Sequence, residues 1–285
     1  MLAETIMSFT LIYSSTLPVR TKTLSTANSQ NVLKVDRATV ADAQARSGCR
    51  TSLLSIIFQH AIATFRLSHS GVNYMQCGSA ATSATYSRMS TSEFQRINGR
   101  QAWANWRTIP QSLAGRLPTD RPLKVLDLCC GTGESTRVLA WWLPDHSEII
   151  AIEQDARFAS LAQSQTYYNR NEKQIDVTVR RTSVLDPFPD SEGMRLGDET
   201  IDVVHAIGSL GCHFSPEESE LIVRETERVL VPGGLAFLDA GRKGTSAEVL
   251  AAIATDAGLT VEGSARSWWF DRYEQLTLRK PVPGR

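Results

Sequence analysis

Cysteine is sparse in this chain and follows no ligand pattern. Five cysteines among 285 residues, Cys49, Cys77, Cys129, Cys130 and Cys212, include no C-x-x-C pair and leave one over. Neither a disulfide framework nor a zinc site is suggested, and a reducing cytoplasm is the expected compartment. A surplus of either charge is also missing. Lysine plus arginine and aspartate plus glutamate number 30 each, for a net charge of zero, without the basic footprint that a nucleic-acid partner usually leaves. No apolar run is long enough to span a membrane: Leu53 to Leu67 is interrupted by Gln59, His60 and Arg66 and reads as a buried helix. Internal repeats are not evident. The apolar content of 42% suffices for a sizeable core, within one large domain or one domain plus a cap.

What the chain does contain is a small-residue turn in Val125-Leu126-Asp127-Leu128-Cys129-Cys130-Gly131-Thr132-Gly133-Glu134-Ser135. A short apolar run, Leu123 to Leu128, carries one acid, and a helix-like segment, Ser135 to Trp142, follows the turn. A strand, a tight turn and a helix start in series let a ligand approach the backbone, because a Cβ there would clash. The helix start adds unpaired N–H donors and the positive end of a dipole. Such a loop suits a carboxylate, a phosphate or the polar part of a nucleoside cofactor; alone, it also fits a structural turn. Thr136 stands where a dinucleotide loop has its third glycine, and no lysine follows as a nucleoside-triphosphate loop requires.

The segments downstream come in a definite order. Glu148 to Ile152 reads as a buried parallel strand. It ends in Glu153-Gln154-Asp155, which places Glu153 about 20 residues past the loop, the spacing of an acid that accepts from ribose hydroxyls. The plainer reading of Glu153 is a solvated acid at a strand end. Asp155 suits the cap of a helix over Ala156 to Asn169. Ile175 to Arg180 and Ile201 to Ile207 read as two more strands. Ser215-Pro216-Glu217-Glu218 combines a cap, a first-position proline and a capping box, opening a helix to about Val229. Arg228 to Gly234 then leads into a strand over Leu235 to Asp239. Thr245-Ser246-Ala247-Glu248 is a second capping box, opening a helix through Ala257 that Gly258 stops. Leu259 to Ala265 and Tyr273 to Leu278 read as a closing pair of strands.

Taken together, these segments resemble the class I S-adenosylmethionine-dependent methyltransferases. Asp127 to Gly133 is similar to their motif I, D-x-G-x-G-x-G, in the D-x-C-C-G-T-G form of quinone-biosynthesis C-methyltransferases, with Cys129 in place of the first glycine. Ile201-Asp202-Val203-Val204 resembles their F-D-x-V strand, and Arg228-Val229-Leu230-Val231-Pro232-Gly233-Gly234 their R-V-L-x-P-G-G turn. The resemblance covers Leu123 to Pro281. It implies an α/β, doubly wound, mostly parallel seven-stranded sheet with an antiparallel last strand, a Rossmann-like methyltransferase fold. It implies S-adenosylmethionine as cofactor, contacted by Asp127, Cys129, Gly131, Gly133, Glu153, Gln154, Ser183, Val184 and Ala206. In the family an aspartate before P-F binds the adenine amino group. Here Ser183 or Thr182 fills that place, depending on spacing, before Pro187-Phe188. The Ser183 hydroxyl can still accept a hydrogen bond, and the Val184 N–H could meet the ring; Asp186 reads more simply as a turn residue.

Residues 1–50 are rich in Ser and Thr and poor in acids. A poorly ordered tail is expected there, ahead of a targeting peptide or an upstream extension. Residues 51–118 are expected to form a helical cap, with helices at Ser92 to Trp106 and Gln111 to Leu117. The aromatic and polar set Tyr74, Tyr86, Trp103, Trp106 and Arg107 would line the acceptor pocket, although packing on the sheet competes for the tryptophans. Residues 119–285 are expected to be the cofactor-binding domain.

Methyl transfer from a sulfonium is an in-line displacement, for which the protein supplies position and excludes water. A base is needed only if the acceptor carries a proton to remove. His205 and His213 are the candidates; each competes with a structural role. The stretch after Val204 contains no N-P-P-Y motif and no cluster of acids for a metal, so no metal is expected. The expected enzyme is a methyltransferase for a small organic acceptor. An RNA or protein methyltransferase and a non-catalytic cofactor-binding protein are the alternatives, with a nucleotide-dependent oxidoreductase a weaker third.

Overall fold

The computed structural model describes residues 78–113, 115–266 and 273–284. The expected tail, the expected helix at Leu53 to Leu67 and Tyr74 lie outside them, as do the side chains of Trp103 and Arg107. Helices α1 (Ser79–Arg88) and α2 (Thr91–Leu113) precede the sheet. The alternation that follows is β1 (Lys124–Leu128), α3 (Glu134–Trp142), β2 (Glu148–Ile152), α4 (Ala156–Gln163), β3 (Tyr167–Tyr168), β4 (Gln174–Arg180) and β5 (Ile201–Ala206). Then come α5 (Leu210–His213), α6 (Pro216–Val229), β6 (Leu230–Gly241), α7 (Ala247–Asp256), β7 (Thr260–Ala265) and β8 (Tyr273–Arg279).

The eight strands form one sheet in the order β3-β4-β2-β1-β5-β6-β8-β7. β4, β2, β1, β5 and β6 are parallel, while β8 runs antiparallel to both β6 and β7. This is the expected doubly wound sheet with one further edge strand. β1 and β2 are buried in all but their first residue, as strands covered on both faces must be. Val125, Val203, Leu235 and Phe237 pack on one face with Ile109 and Leu113 of α2 and Val138 and Leu139 of α3. Leu126, Val204, Ala236 and Leu238 pack on the other with Ile222 and Val223 of α6 and Leu250 of α7.

Three local expectations are corrected. The two helices expected on either side of Trp106–Gln111 are one helix, α2, with Pro110 inside it. Pro110 removes one backbone bond, but Ile109, Ser112 and Leu113 around it are buried and hold the helix together. The helix after Asp155 ends at Gln163 rather than Asn169, and Tyr167 and Tyr168 pair with Ile175 and Gln174 as a short edge strand, a setting that suits aromatic residues. Thr245 does not cap α7. Its hydroxyl bonds Ser219 Oγ at 2.7 Å and the Phe214 carbonyl at 3.2 Å, and Ser246 takes over as cap. The capping box of Ser215 and Glu218 is present, as is Pro216 at the helix start.

Candidate functional site

The glycine loop joins β1 to α3 at the carboxyl ends of the parallel strands, where ligands bind in open α/β sheets. Gly131 and Gly133 adopt φ of +57° and +91°, and Cys129, in the place of the family's first glycine, adopts +56°. The loop is pinned from outside by Cys130 N–H donating to the Ile152 carbonyl (3.0 Å) and closed on itself by Gly133 N–H donating to the Cys130 carbonyl (2.9 Å). Burial pushes the thiols of Cys129 and Cys130 well above the ordinary range, with nearby Asp127 and Glu153 adding to it. Both are therefore protonated fillers rather than thiolate nucleophiles.

Asp127 lies beneath the loop. Its Oδ2 accepts from the hydroxyls of Ser135 (3.0 Å) and Thr136 (2.7 Å), and its Oδ1 faces His205 Nδ1 at 3.0 Å. Register explains the last contact: Asp127 and His205 are partners on neighbouring strands, so their side chains leave the sheet on the same side. Both side chains are 0% exposed. His205 Nε2 lies 3.0 Å from Gln275 Nε2, which occupies the second ring nitrogen. The structure thus gives Asp127 a place under the loop and leaves His205 no free nitrogen to offer an acceptor.

Glu153 ends β2 beside the loop. Its Oε2 accepts from Gly131 N–H at 3.0 Å and its Oε1 from Asp155 N–H at 2.8 Å. Burial raises its carboxyl above the ordinary range, and those two N–H groups together with that of Gln154 only partly offset the effect. A carboxylate offers about four acceptor positions, and the three N–H groups leave room for a further donor on a group that the fold keeps buried at a cost. That under-used acceptor beside a left-handed glycine fits the hydroxyls of a ribose. Gln154, expected as a neighbouring contact, instead meets Ser83 of α1.

The remaining sequence-selected residues are brought near the same strand ends in different ways. Ser183 accepts from Leu185 N–H at 3.1 Å, a local turn, and Val184 is buried in the core. Ala206 is buried at the end of β5, where its carbonyl accepts from Gln275 Nε2 at 3.3 Å.

On the other side of the loop stands an acid that sequence reading passed over. Asp239 of β6 accepts from the N–H groups of Ser209, Leu210 and Gly211, each at 3.1 Å, and from Ser209 Oγ at 2.9 Å. It thereby holds α5. Its signal was present: one acid at the end of an apolar run, the same pattern as Asp127. His213 closes α5, with Nε2 3.0 Å from the Tyr86 hydroxyl and Nδ1 3.4 Å from Thr82 Oγ1. Burial lowers its imidazole below the usual histidine value; Asp239 opposes this and Lys243 reinforces it.

Helix α1 therefore bridges the strand ends. Glu218 of α6 accepts from Ser79 N–H and, at 2.5 Å, from Ser79 Oγ. Arg157 of α4 donates to the carbonyls of Tyr86 and Met89, both at 2.8 Å. Tyr86 also packs edge-on to Phe94, which stacks on Phe158 at 3.7 Å. α2, by contrast, belongs to the layer on the sheet face, and Trp106 meets Trp141 edge-on at 6.1 Å. A separate cleft of about 350 Å³, lined by Arg121, Trp142, His146 and Arg170 among others, lies at the amino ends of the strands, away from this site. Among the described residues, no group of three or more His, Cys, Asp or Glu is arranged to hold a metal ion, and no helix is long and apolar enough to cross a membrane.

Residues 125–234 match the family described as methyltransferase domain. No curated protein matches the chain. Among solved structures, the complex of the Haloferax volcanii methyltransferase activator Trm112 with a protein assigned as a methyltransferase is similar at 16% identity and a TM-score of 0.51, covering 66% of this chain and 94% of that one. A TehB-like S-adenosylmethionine-dependent methyltransferase from Corynebacterium glutamicum is 15% identical over 71% of this chain and 99% of its own, with a TM-score of 0.47. The cyclase SpnF is 20% identical, covering 61% of this chain and 80% of its own, with a TM-score of 0.45.

Proposed function

We propose that this chain, whose residues 125–234 match the methyltransferase domain family, is a class I S-adenosylmethionine-dependent methyltransferase, and that it methylates a small organic acceptor seated between α1 and the carboxyl ends of the sheet. S-adenosylmethionine, when bound, supplies a methyl group on a sulfonium that is already activated for displacement. Gly131 and Gly133 would admit it to the backbone, Glu153 would accept from its ribose hydroxyls, and the Ser183–Val184 turn would border its adenine. Asp127 acts from below, holding the first turn of α3 through Ser135 and Thr136. Cys129 fills the loop, while Gln154 and Ala206 fix the rim through Ser83 and Gln275.

The observation that carries the small-acceptor reading is the attachment of α1 to both sides of the strand ends, through Arg157 and Gln154 on one and His213 and Glu218 on the other. A helix tied across the strand ends would limit the size of the acceptor admitted and help keep water from it. A net charge of zero supports the same reading. Both ring nitrogens of His213 are partnered too, by Tyr86 and Thr82, so in this reading it handles a proton through the Tyr86 hydroxyl. Its lowered basicity leaves it neutral at neutral pH, and the Tyr86 hydroxyl lies in contact with it. The cytoplasm suits an enzyme that carries buried thiols at Cys129 and Cys130.

Calorimetric titration with S-adenosylmethionine, followed by S-adenosylhomocysteine release with panels of small phenols, acids, amines and thiols, tests the proposal. Turnover on one of these classes is expected. Turnover that requires RNA or a protein acceptor would overturn it.

A further inference from the structure

We propose that Gln275 is a positioning residue for the cofactor loop, acting through His205 and Asp127 although it lies on β8, two strands from β5. The proposal rests on the methyl-donor assignment but not on the identity of the acceptor. Its basis is an unbroken line of buried side chains. Ser112 Oγ of α2 lies 2.6 Å from Gln275 Oε1, Gln275 Nε2 lies 3.0 Å from His205 Nε2, and His205 Nδ1 lies 3.0 Å from Asp127 Oδ1. The far carboxylate oxygen then accepts from Ser135 and Thr136 in the first turn of α3.

The direction of every bond in this line follows from one backbone atom. The Ala206 carbonyl can only accept, and it lies 3.3 Å from Gln275 Nε2. The amide nitrogen must therefore face it, which leaves Oε1 to accept from the Ser112 hydroxyl. The second amide hydrogen points at His205 Nε2, so that nitrogen presents a lone pair. The ring proton then sits on Nδ1 and is donated to Asp127. With its first oxygen loaded by an N–H, Asp127 holds the two hydroxyls of α3 with its second.

The loop depends on this arrangement because α3 has no cap of its own. Its N-cap is Gly133, which has no side chain and makes no side-chain cap bond. Ser135 and Thr136 on Asp127 are what set the first turn, and the first turn sets the loop in front of it. A ring proton on Nε2 instead would turn a lone pair on a carboxylate, and the carboxylate would have to withdraw. Buried polar networks are sensitive in this way because no water can replace a lost partner. The identity of the side chain at position 275, and the orientation that Ser112 gives its amide, thus reach the cofactor loop without touching it.

The experiment uses the full chain. Gln275→Glu preserves shape but replaces a donor with an acceptor, forcing His205 to move its proton to Nε2 or to take up a second one. Ser112→Ala removes only the hydroxyl that orients the amide. For each, the ring-nitrogen NMR signature of His205 (identified by its loss in His205→Gln), the thermal unfolding curve and the calorimetric Kd for S-adenosylmethionine are measured. The expected result is an Nδ1–H imidazole in the unsubstituted protein that is lost in Gln275→Glu. Affinity should fall roughly tenfold in that variant, as for one lost buried hydrogen bond, and by less in Ser112→Ala. An altered His205 signature with unchanged affinity would overturn the proposal, as would an Nε2–H ring in the unsubstituted protein. If Gln275→Glu does not fold, Ser112→Ala decides on the same readouts. An unsubstituted protein that binds no S-adenosylmethionine strikes the methyl-donor assignment itself and takes the proposal with it.

Discussion

Tyr86 and His213 meet with their rings edge to face, centroids 5.5 Å apart at 79°, and with the phenol oxygen 3.0 Å from Nε2. One hydrogen bond thus joins the helix that covers the strand ends to the segment that follows β5. Tyr86→Phe keeps the ring contact and removes that bond, a loss of about 1 kcal/mol. The expected outcome is faster hydrogen exchange in α1 by roughly fivefold, with the exchange of β1 and β2 unchanged.

The acid sensitivity of His213 follows from its burial. The folded protein binds this proton at a lower pH than the unfolded chain does. Acidification below the unfolded value of about 6.5 therefore favours the unfolded state, and the lost stability is fully regained above that value. Melting curves between about pH 7 and about pH 5.5 should show the unsubstituted protein losing more Tm than His213→Gln.

Glu153 should show two opposite pH slopes. Its folded carboxyl is raised by burial, so its contribution to stability is present in acid and lost as pH rises through the folded value. If Glu153 accepts from the ribose hydroxyls as proposed, it does so best when ionised, and S-adenosylmethionine affinity should fall as pH drops through that same value, above the usual glutamate range. Glu153→Ala should weaken the cofactor Kd by about 1.5–3 kcal/mol at neutral pH, the scale of charge-assisted hydrogen bonds. Calorimetry across pH checks both statements.

A side chain at Gly133 meets two obstacles. Its φ is +91°, and a Cβ would fall well inside contact distance of the Tyr167 hydroxyl. Gly133→Ala should destabilise the fold by about 1–3 kcal/mol. Adding Tyr167→Phe should restore part of the loss and not all of it, since the backbone strain remains. Denaturant unfolding of the single and double variants separates the two terms.

Replacing Asp239 by alanine strands three buried N–H groups at the start of α5. A loss of about 3 kcal/mol is expected, read as a lower denaturation midpoint. Gly211 and Gly244 should be equally intolerant, because a Cβ at Gly211 would meet the backbone of Ala240 and Gly241 and one at Gly244 the Leu210 carbonyl.

What could be read in advance was what lies close in sequence. The strand Glu148–Ile152 and the capping box of Ser215 and Glu218 rest on neighbours a few residues away, and both stand at their expected places. The loop from Asp127 to Gly133 with Glu153 beyond it pointed to a methyltransferase domain, the family that residues 125–234 match. The partners of Asp127 were not legible. His205 is 78 residues from it, and Gln275 a further 70, in a strand whose alternation gives no sign that one polar residue faces inward. Tyr167–Tyr168 became a strand only because Ile175 returned beside it. Gln154 and Arg157 looked like a strand end and a helix start, and their contacts with α1 depend on how an earlier segment folds back over them.

The two ends of α1 are gripped by charges of opposite sign. Its first N–H rests on the carboxylate of Glu218, and its last carbonyls rest on the guanidinium of Arg157. A helix carries partial positive charge at its start and partial negative charge at its end, so each clasp matches the pole it holds. The cover can dock in one direction only, since a reversed helix would set like against like at both ends. Both clasps weaken as salt is added, whereas the bonds beneath the glycine loop are buried beyond its reach. Added salt should therefore loosen the hold on α1 while leaving the buried bonds of Asp127 beneath the glycine loop unchanged.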